Sequence, residues 1–132
     1  MEKLLEKYSE ELKNDLQLDE INVKDKSLMT PSIKHKWVKR LIDAKIELNR
    51  QDITKSKIID ELNTKITNES NVSLSPITIR KAVENTETYR KIEESIEDQK
   101  VLVEYLEKIE KIVTSLTYDL KNVIDVIRLE ST

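Results

Sequence analysis

Between residues 34 and 57 lie eight cations, Lys34, Lys36, Lys39, Arg40, Lys45, Arg50, Lys55 and Lys57, against three acids, Asp43, Glu47 and Asp52. That is a local charge of +5 in a chain whose net charge is −3. Lysine and arginine at this density hold phosphate well, and binding of that kind is led by charge, weakened by salt and largely blind to base sequence. The same run is also compatible with a solvated helix face, so both readings stay open at the level of composition. The flanking segments are acidic, −4 over residues 1–20 and −5 over residues 84–132, so one basic element lies between two acidic ones.

Other chemistries lack their residues. With no cysteine there is no disulfide framework, thiolate nucleophile or cysteine metal site. With no glycine there is no phosphate-cradling glycine loop, so nucleotide hydrolysis is not expected. His35 is the single histidine, sits between Lys34 and Lys36, and has no ligand or catalytic partner at a useful spacing. Acid pairs such as Glu10-Glu11 and Glu93-Glu94 are what 26 acids in 132 residues produce by chance. The chain therefore reads as a non-enzyme without cofactor or metal.

The elements that must carry the cations follow from few punctuation marks. Zero glycine, two prolines and no phenylalanine leave little material for hairpins, so the fold class is all-α with long helices. Leu5, Tyr8, Leu12 and Leu16 describe a short amphipathic helix that ends near the polar stretch 19–26. Thr30-Pro31 is a capping residue followed by a first-turn proline, which predicts a second helix over about 31–67. The polar run 68–75 reads as a loop, and Ser75-Pro76 repeats the start signal for a third helix running toward Leu129, with a weak stretch at 85–88. The expected organisation is a single domain with an N-terminal region, 1–75, and a C-terminal oligomerisation helix, 76–132.

On the second helix, Ile33, Trp37, Leu41, Ala44, Leu48, Ile59, Leu62 and Ile66 share one side. Lys36, Lys39, Arg50 and Lys57 lie opposite, with Arg40 near the boundary. Trp37 is the single tryptophan, and its place in the apolar stripe argues for a packing anchor over a base-stacking platform.

Near the C-terminus, Leu102, Leu106, Ile109, Val113, Leu116, Leu120, Val123 and Ile127 alternate four- and three-residue steps without a break. This is a coiled-coil-like seam, and it predicts assembly because a lone helix cannot bury such a stripe. The flanking heptad column reads Tyr105, Ile112, Asp119 and Val126, three of them apolar. A stripe of that breadth touches either two neighbouring subunits or one neighbour and the second helix of its own chain. No run of 18 apolar residues and no leader-like N-terminus is present, so a membrane is not expected as a partner and a cytoplasmic location is, the host cytoplasm if the chain is phage-encoded.

The order of these features resembles a known family. Glu10-Glu11-Leu12-Lys13-Asn14-Asp15, then Lys36-Trp37-Val38 opening a basic helix with Glu47-Leu48-Asn49-Arg50, is similar to the UvsY recombination mediators of tailed phages. The likeness extends through the apolar pattern of the C-terminal helix. It implies a ring-shaped homo-oligomeric bundle of more than four subunits that binds single-stranded DNA. It also implies loading of a RecA-like recombinase onto strands covered by single-strand-binding protein. Under it, Lys36, Lys39, Arg50 and Lys57 would line a DNA-binding surface, with the other four cations of the run as candidates beside them, and the heptads would build the ring. One segment departs from the family pattern: Ile59-Asp60-Glu61-Leu62 stands where a basic leucine-lysine-alanine-arginine-leucine segment is expected, which alters the path or the strength of DNA binding. The other reading is a coiled-coil adaptor or structural protein whose basic helix binds an acidic protein.

Overall fold

The computed structural model describes residues 1–131. Among the described residues all regular structure is helical: α1 (Glu2–Leu16), α2 (Val23–Glu69), α3 (Pro76–Glu84), α4 (Glu87–Thr114) and α5 (Leu116–Glu130). The chain forms two compact units, residues 1–43 with 102–132, and residues 44–101. α2 and α4 supply segments to both, as do the 1–75 and 76–132 regions read from the sequence.

α2 begins eight residues before Pro31, a correction to the expected start at Thr30-Pro31. The physical signal lies upstream. Asp19 Oδ1 accepts from the backbone N–H groups of Ile21 and Asn22, both at 2.8 Å, while Asn22 Oδ1 accepts from Asp19 N–H at 2.9 Å. This reciprocal pairing is the logic of a capping box, with asparagine in the fourth position. Pro31 is carried inside the helix, where it has no N–H for the Ser27 carbonyl. Beside it, the Thr30 hydroxyl donates to the Lys26 carbonyl at 2.7 Å. The α2 end at Glu69 and the α3 start at Pro76 fit the sequence reading, with Ser75 Oγ accepting from Thr78 N–H at 3.2 Å.

The expected third helix is three helices. The break at Asn85-Thr86 falls in the weak stretch, and Thr86 Oγ1 caps α4 by accepting from Tyr89 N–H at 3.3 Å. The break at Ser115 was not foreseen. There the Thr114 and Ser115 hydroxyls donate to the Glu110 and Ile112 carbonyls, at 2.8 and 2.7 Å, offering the backbone an alternative to the helical ladder.

In the first unit, Ile33, Trp37 and Leu41 of α2 are buried, as are Leu102, Val103, Leu106, Ile109 and Val113 of α4 and Leu116 and Leu120 of α5. The second unit has a thinner core, Ala44, Val83 and Ile96, together with buried Gln99. Gln99 Nε2 donates to the Ala44 carbonyl at 3.0 Å, which satisfies a polar group that would otherwise cost about 1–3 kcal/mol to bury.

Candidate nucleic-acid interface

All eight cations lie on α2, and the structure separates them by what their side chains already hold. In the first unit, Tyr8, Glu11 and Asp15 recur at three and four residues and so face α2 together from α1. Glu11 receives Arg40 in a two-pronged pair, one of its contacts being Nη2 to Oε1 at 3.3 Å. Asp15 Oδ2 accepts both Lys36 Nζ at 2.6 Å and Trp37 Nε1 at 2.8 Å. The Tyr8 ring meets Trp37 edge-on, centroids 5.6 Å apart at 86°. The Arg40 guanidinium stands 4.6 Å from the Tyr8 centroid and 4.8 Å from that of Trp37. Hydrogen bonding to Arg40 lowers the Glu11 pKa and raises that of Arg40. Trp37 is fully buried, so it packs, as its stripe indicated.

Lys36 and Arg40 are therefore docking groups for α1, with side chains only 30% and 25% exposed. Lys34 is half-buried and donates to Thr117 Oγ1 at 2.8 Å. In the second unit Lys55, 28% exposed, pairs with Glu93 and stands 5.5 Å from the Tyr89 ring centroid, and the Glu93 bond raises its pKa. These four cations contact other elements.

Lys39, Arg50 and Lys57 face solvent. Lys39 pairs with Asp43 at 2.8 Å and Arg50 with Glu47 at 2.8 Å, each one turn away on the same helix, with the cations 65% and 71% exposed. Pairs of this kind contribute about 0–1 kcal/mol, so a phosphate can displace either acid at little cost. Lys57 is exposed without a pair of this kind, and Lys45 is exposed but engaged in a contact of its own. Wheel position alone could not separate Lys36 from Lys39, Arg50 and Lys57, because the separation is made by α1, a helix distant in sequence.

Within the second unit, Ile46, Arg50, Ile53 and Lys57 recur at four, three and four residues, and all four are exposed. The two isoleucines put apolar surface between cations, a feature the sequence reading passed over. Their spacing was the available signal: both fall off the Trp37 stripe. Asp60 and Glu61 are exposed in the next turn, while Ile59 and Leu62 are half-buried, so the acids interrupt the basic surface at that point.

The heptad seam also has a defined place. Leu102, Leu106, Ile109, Val113, Leu116 and Leu120 are buried inside the chain's own first unit, and Val123 and Ile127 are half-buried. Six of the eight seam residues are thus covered within the chain, in a core to which its own α2 supplies Ile33, Trp37 and Leu41. The flanking column stays outside, with Ile112 and Val126 exposed and Tyr105 half-buried. Among the described residues no helix is long and apolar enough to cross a membrane, and no cluster of three or more histidine, cysteine or acidic side chains could hold a metal.

Two crystal structures of the bacteriophage T4 recombination mediator protein UvsY have a similar fold. One, in lattice type IV, is 17% identical with a TM-score of 0.79, covering 96% of this chain and 98% of that one. The other, in lattice type II, is 15% identical with a TM-score of 0.76, covering 96% and 97%. Among curated protein sequences none matches this chain significantly. The family model described as recombination, repair and ssDNA binding protein UvsY matches residues 11–132, which takes in the Glu11 and Asp15 clamp, the whole of α2 and the seam, and by that match this chain belongs to the UvsY family.

Proposed function

We propose that this chain is a recombination mediator that binds single-stranded DNA through the exposed cations of α2 and helps load a RecA-like recombinase onto strands covered by single-strand-binding protein. The observation that carries the reading is the sorting of the basic helix in a member of a single-strand-binding family. Lys39, Arg50 and Lys57 face solvent, and Lys39 and Arg50 are held only by weak pairs on their own helix. So few cations bind DNA weakly at physiological salt, and a ring-shaped homo-oligomer of more than four subunits supplies the effective concentration that one copy lacks. The exposed flank of Ile112 and Val126 is the surface best suited to a neighbouring copy. Phosphate-led holding needs no catalytic group, and the mediator role needs none either.

Fluorescence titration of labelled oligo-dT over a salt series tests this. The chain should give a steep negative slope of log K against log salt. Lys39→Gln/Arg50→Gln/Lys57→Gln should make the slope shallower by about 2, at roughly 0.7 per lost phosphate contact on a single strand. Undetectable binding at low salt would sink the DNA reading. It would favour an adaptor whose basic helix, with Ile46 and Ile53 between its cations, binds an acidic protein segment.

A further inference from the structure

The first unit holds a second basic feature, one that contains none of the exposed cations of α2. A cleft of about 620 Å³ opens between the start of α2 and α5. Its α5 wall carries Thr117, Lys121, Ile124 and Arg128, spaced four, three and four residues and so sharing one face. Its α2 wall carries Lys34, and Pro31 and Leu120 add apolar surface. Three cations thus line a cleft that has one acid, Asp125, in a chain whose net charge is −3. Asp125 is one helical turn from both Lys121 and Arg128, yet neither cation forms an ion pair with it or with any other described residue. Their charge stays available.

We infer that this cleft is a second contact site for the phosphates of single-stranded DNA. The inference rests on the reading of the chain as a single-strand binder and adds residues that the basic run of α2 does not contain. Three points of geometry support it. Lys34 Nζ is held against Thr117 Oγ1 at 2.8 Å, which places an ammonium at the cleft wall. Because the Thr117 oxygen accepts that bond, its own O–H is left to donate to a phosphate oxygen. Lys121 and Arg128 are seven residues apart, about 10 Å along the helix, so the two charges can hold separate phosphates of one strand. The volume lies within the range of small-ligand clefts, and the apolar surface of Leu120 and Ile124 can face a base or sugar between two held phosphates.

The test uses the full chain and labelled oligo-dT. Lys121→Gln/Arg128→Gln, both exposed on α5, should make the slope of log K against log salt shallower by about 1.4, two contacts at roughly 0.7 each. A site-directed probe adds a second readout, because the natural chain has no cysteine. In the Arg128→Cys chain, bound oligo-dT at about ten times Kd should slow alkylation of the thiol about tenfold, since only about a tenth of the sites stay open. If the unaltered chain binds oligo-dT but the double variant keeps its slope and the thiol is not protected, the cleft is not a DNA contact while the binding function stands. An acidic peptide as the natural occupant would give that same result and overturn the inference. If the unaltered chain shows no salt-dependent binding, the DNA reading fails first and the cleft assignment with it.

Discussion

Asp15 accepts two donors on one oxygen, and Glu11 takes Arg40 two atoms at a time, so α1 is fixed to α2 by charge as well as by apolar contact. The pH dependence of that attachment has a definite sign. Glu11 has a lowered pKa, chiefly through its hydrogen bond from Arg40, so its contribution is fully present above the ordinary carboxyl value of 4.5 and is lost as pH falls through the lowered value. Glu20 behaves oppositely: the neighbouring Glu130 carboxyl raises its pKa, so its contribution favours the fold at low pH and is lost as pH rises through the raised value. Trp37 is the only tryptophan and lies against Tyr8 and Asp15, so its emission reports α1 directly. On acidification below 4.5 the emission should shift to the red as α1 releases. Glu11→Gln should already be less stable at neutral pH and should lose much of this acid dependence. An unchanged acid profile in that variant would show that Glu11 does not hold α1. The sequence displayed all the residues of this clamp, and the family resemblance rested partly on them. It could not show that Glu11 and Asp15 reach Lys36 and Arg40, because a helical wheel places side chains relative to their own helix only. Four of the eight cations expected to meet DNA were consequently assigned without the partners that occupy them.

Element boundaries depended on local hydrogen bonding that competes with stronger-looking signals. Ser75-Pro76 was legible because cap, proline and loop agree there, and Ser75 accepts from Thr78 N–H as a cap should. Thr30-Pro31 carries the same two residue types, yet the helix already exists when it reaches them. Asp19 and Asn22 have started it, and Lys26 Nζ also donates to the Asn14 carbonyl at the end of α1, at 2.6 Å. Burial then favours continuation: Thr30, Ile33 and Trp37 all face the core of the first unit. Asp19→Ala should therefore cost about 1 kcal/mol in a denaturant melt, the ordinary magnitude for a lost N-cap. Circular dichroism should show the loss falling on the first turns of α2. A neutral result would mean that the helix is nucleated at Thr30-Pro31 after all and only extends backward. The Ser115 break was illegible for a different reason. A heptad pattern continues smoothly through it, from Val113 to Leu116, since both sides bury their apolar residues in the same core.

For the molecule as a whole, the division of the C-terminal apolar surface separates folding from assembly. Leu116 is fully buried within the chain, whereas Val126, in the flanking column, is about half exposed. The eight-residue seam was legible as an apolar stripe, and six of its members are buried within the chain; which chain covers each of them was not, because a heptad pattern specifies an apolar partner and does not say to which chain the partner belongs. The two positions should respond differently. Leu116→Ala removes packed volume and should cost about 2–5 kcal/mol of stability, lowering the melting temperature. Val126→Asp places a charge where solvent already reaches, so the fold should survive with a melting temperature near that of the natural chain. If the flank joins neighbouring copies, the carboxylate would be desolvated there and the assembly should dissociate. Sedimentation velocity reads the second effect and calorimetry the first. A Val126→Asp chain of unchanged mass would remove the flank from the interface. Dissociation without unfolding would instead make the flank the assembling surface and leave the seam, which first suggested assembly, to hold together the helices that present the DNA-facing cations.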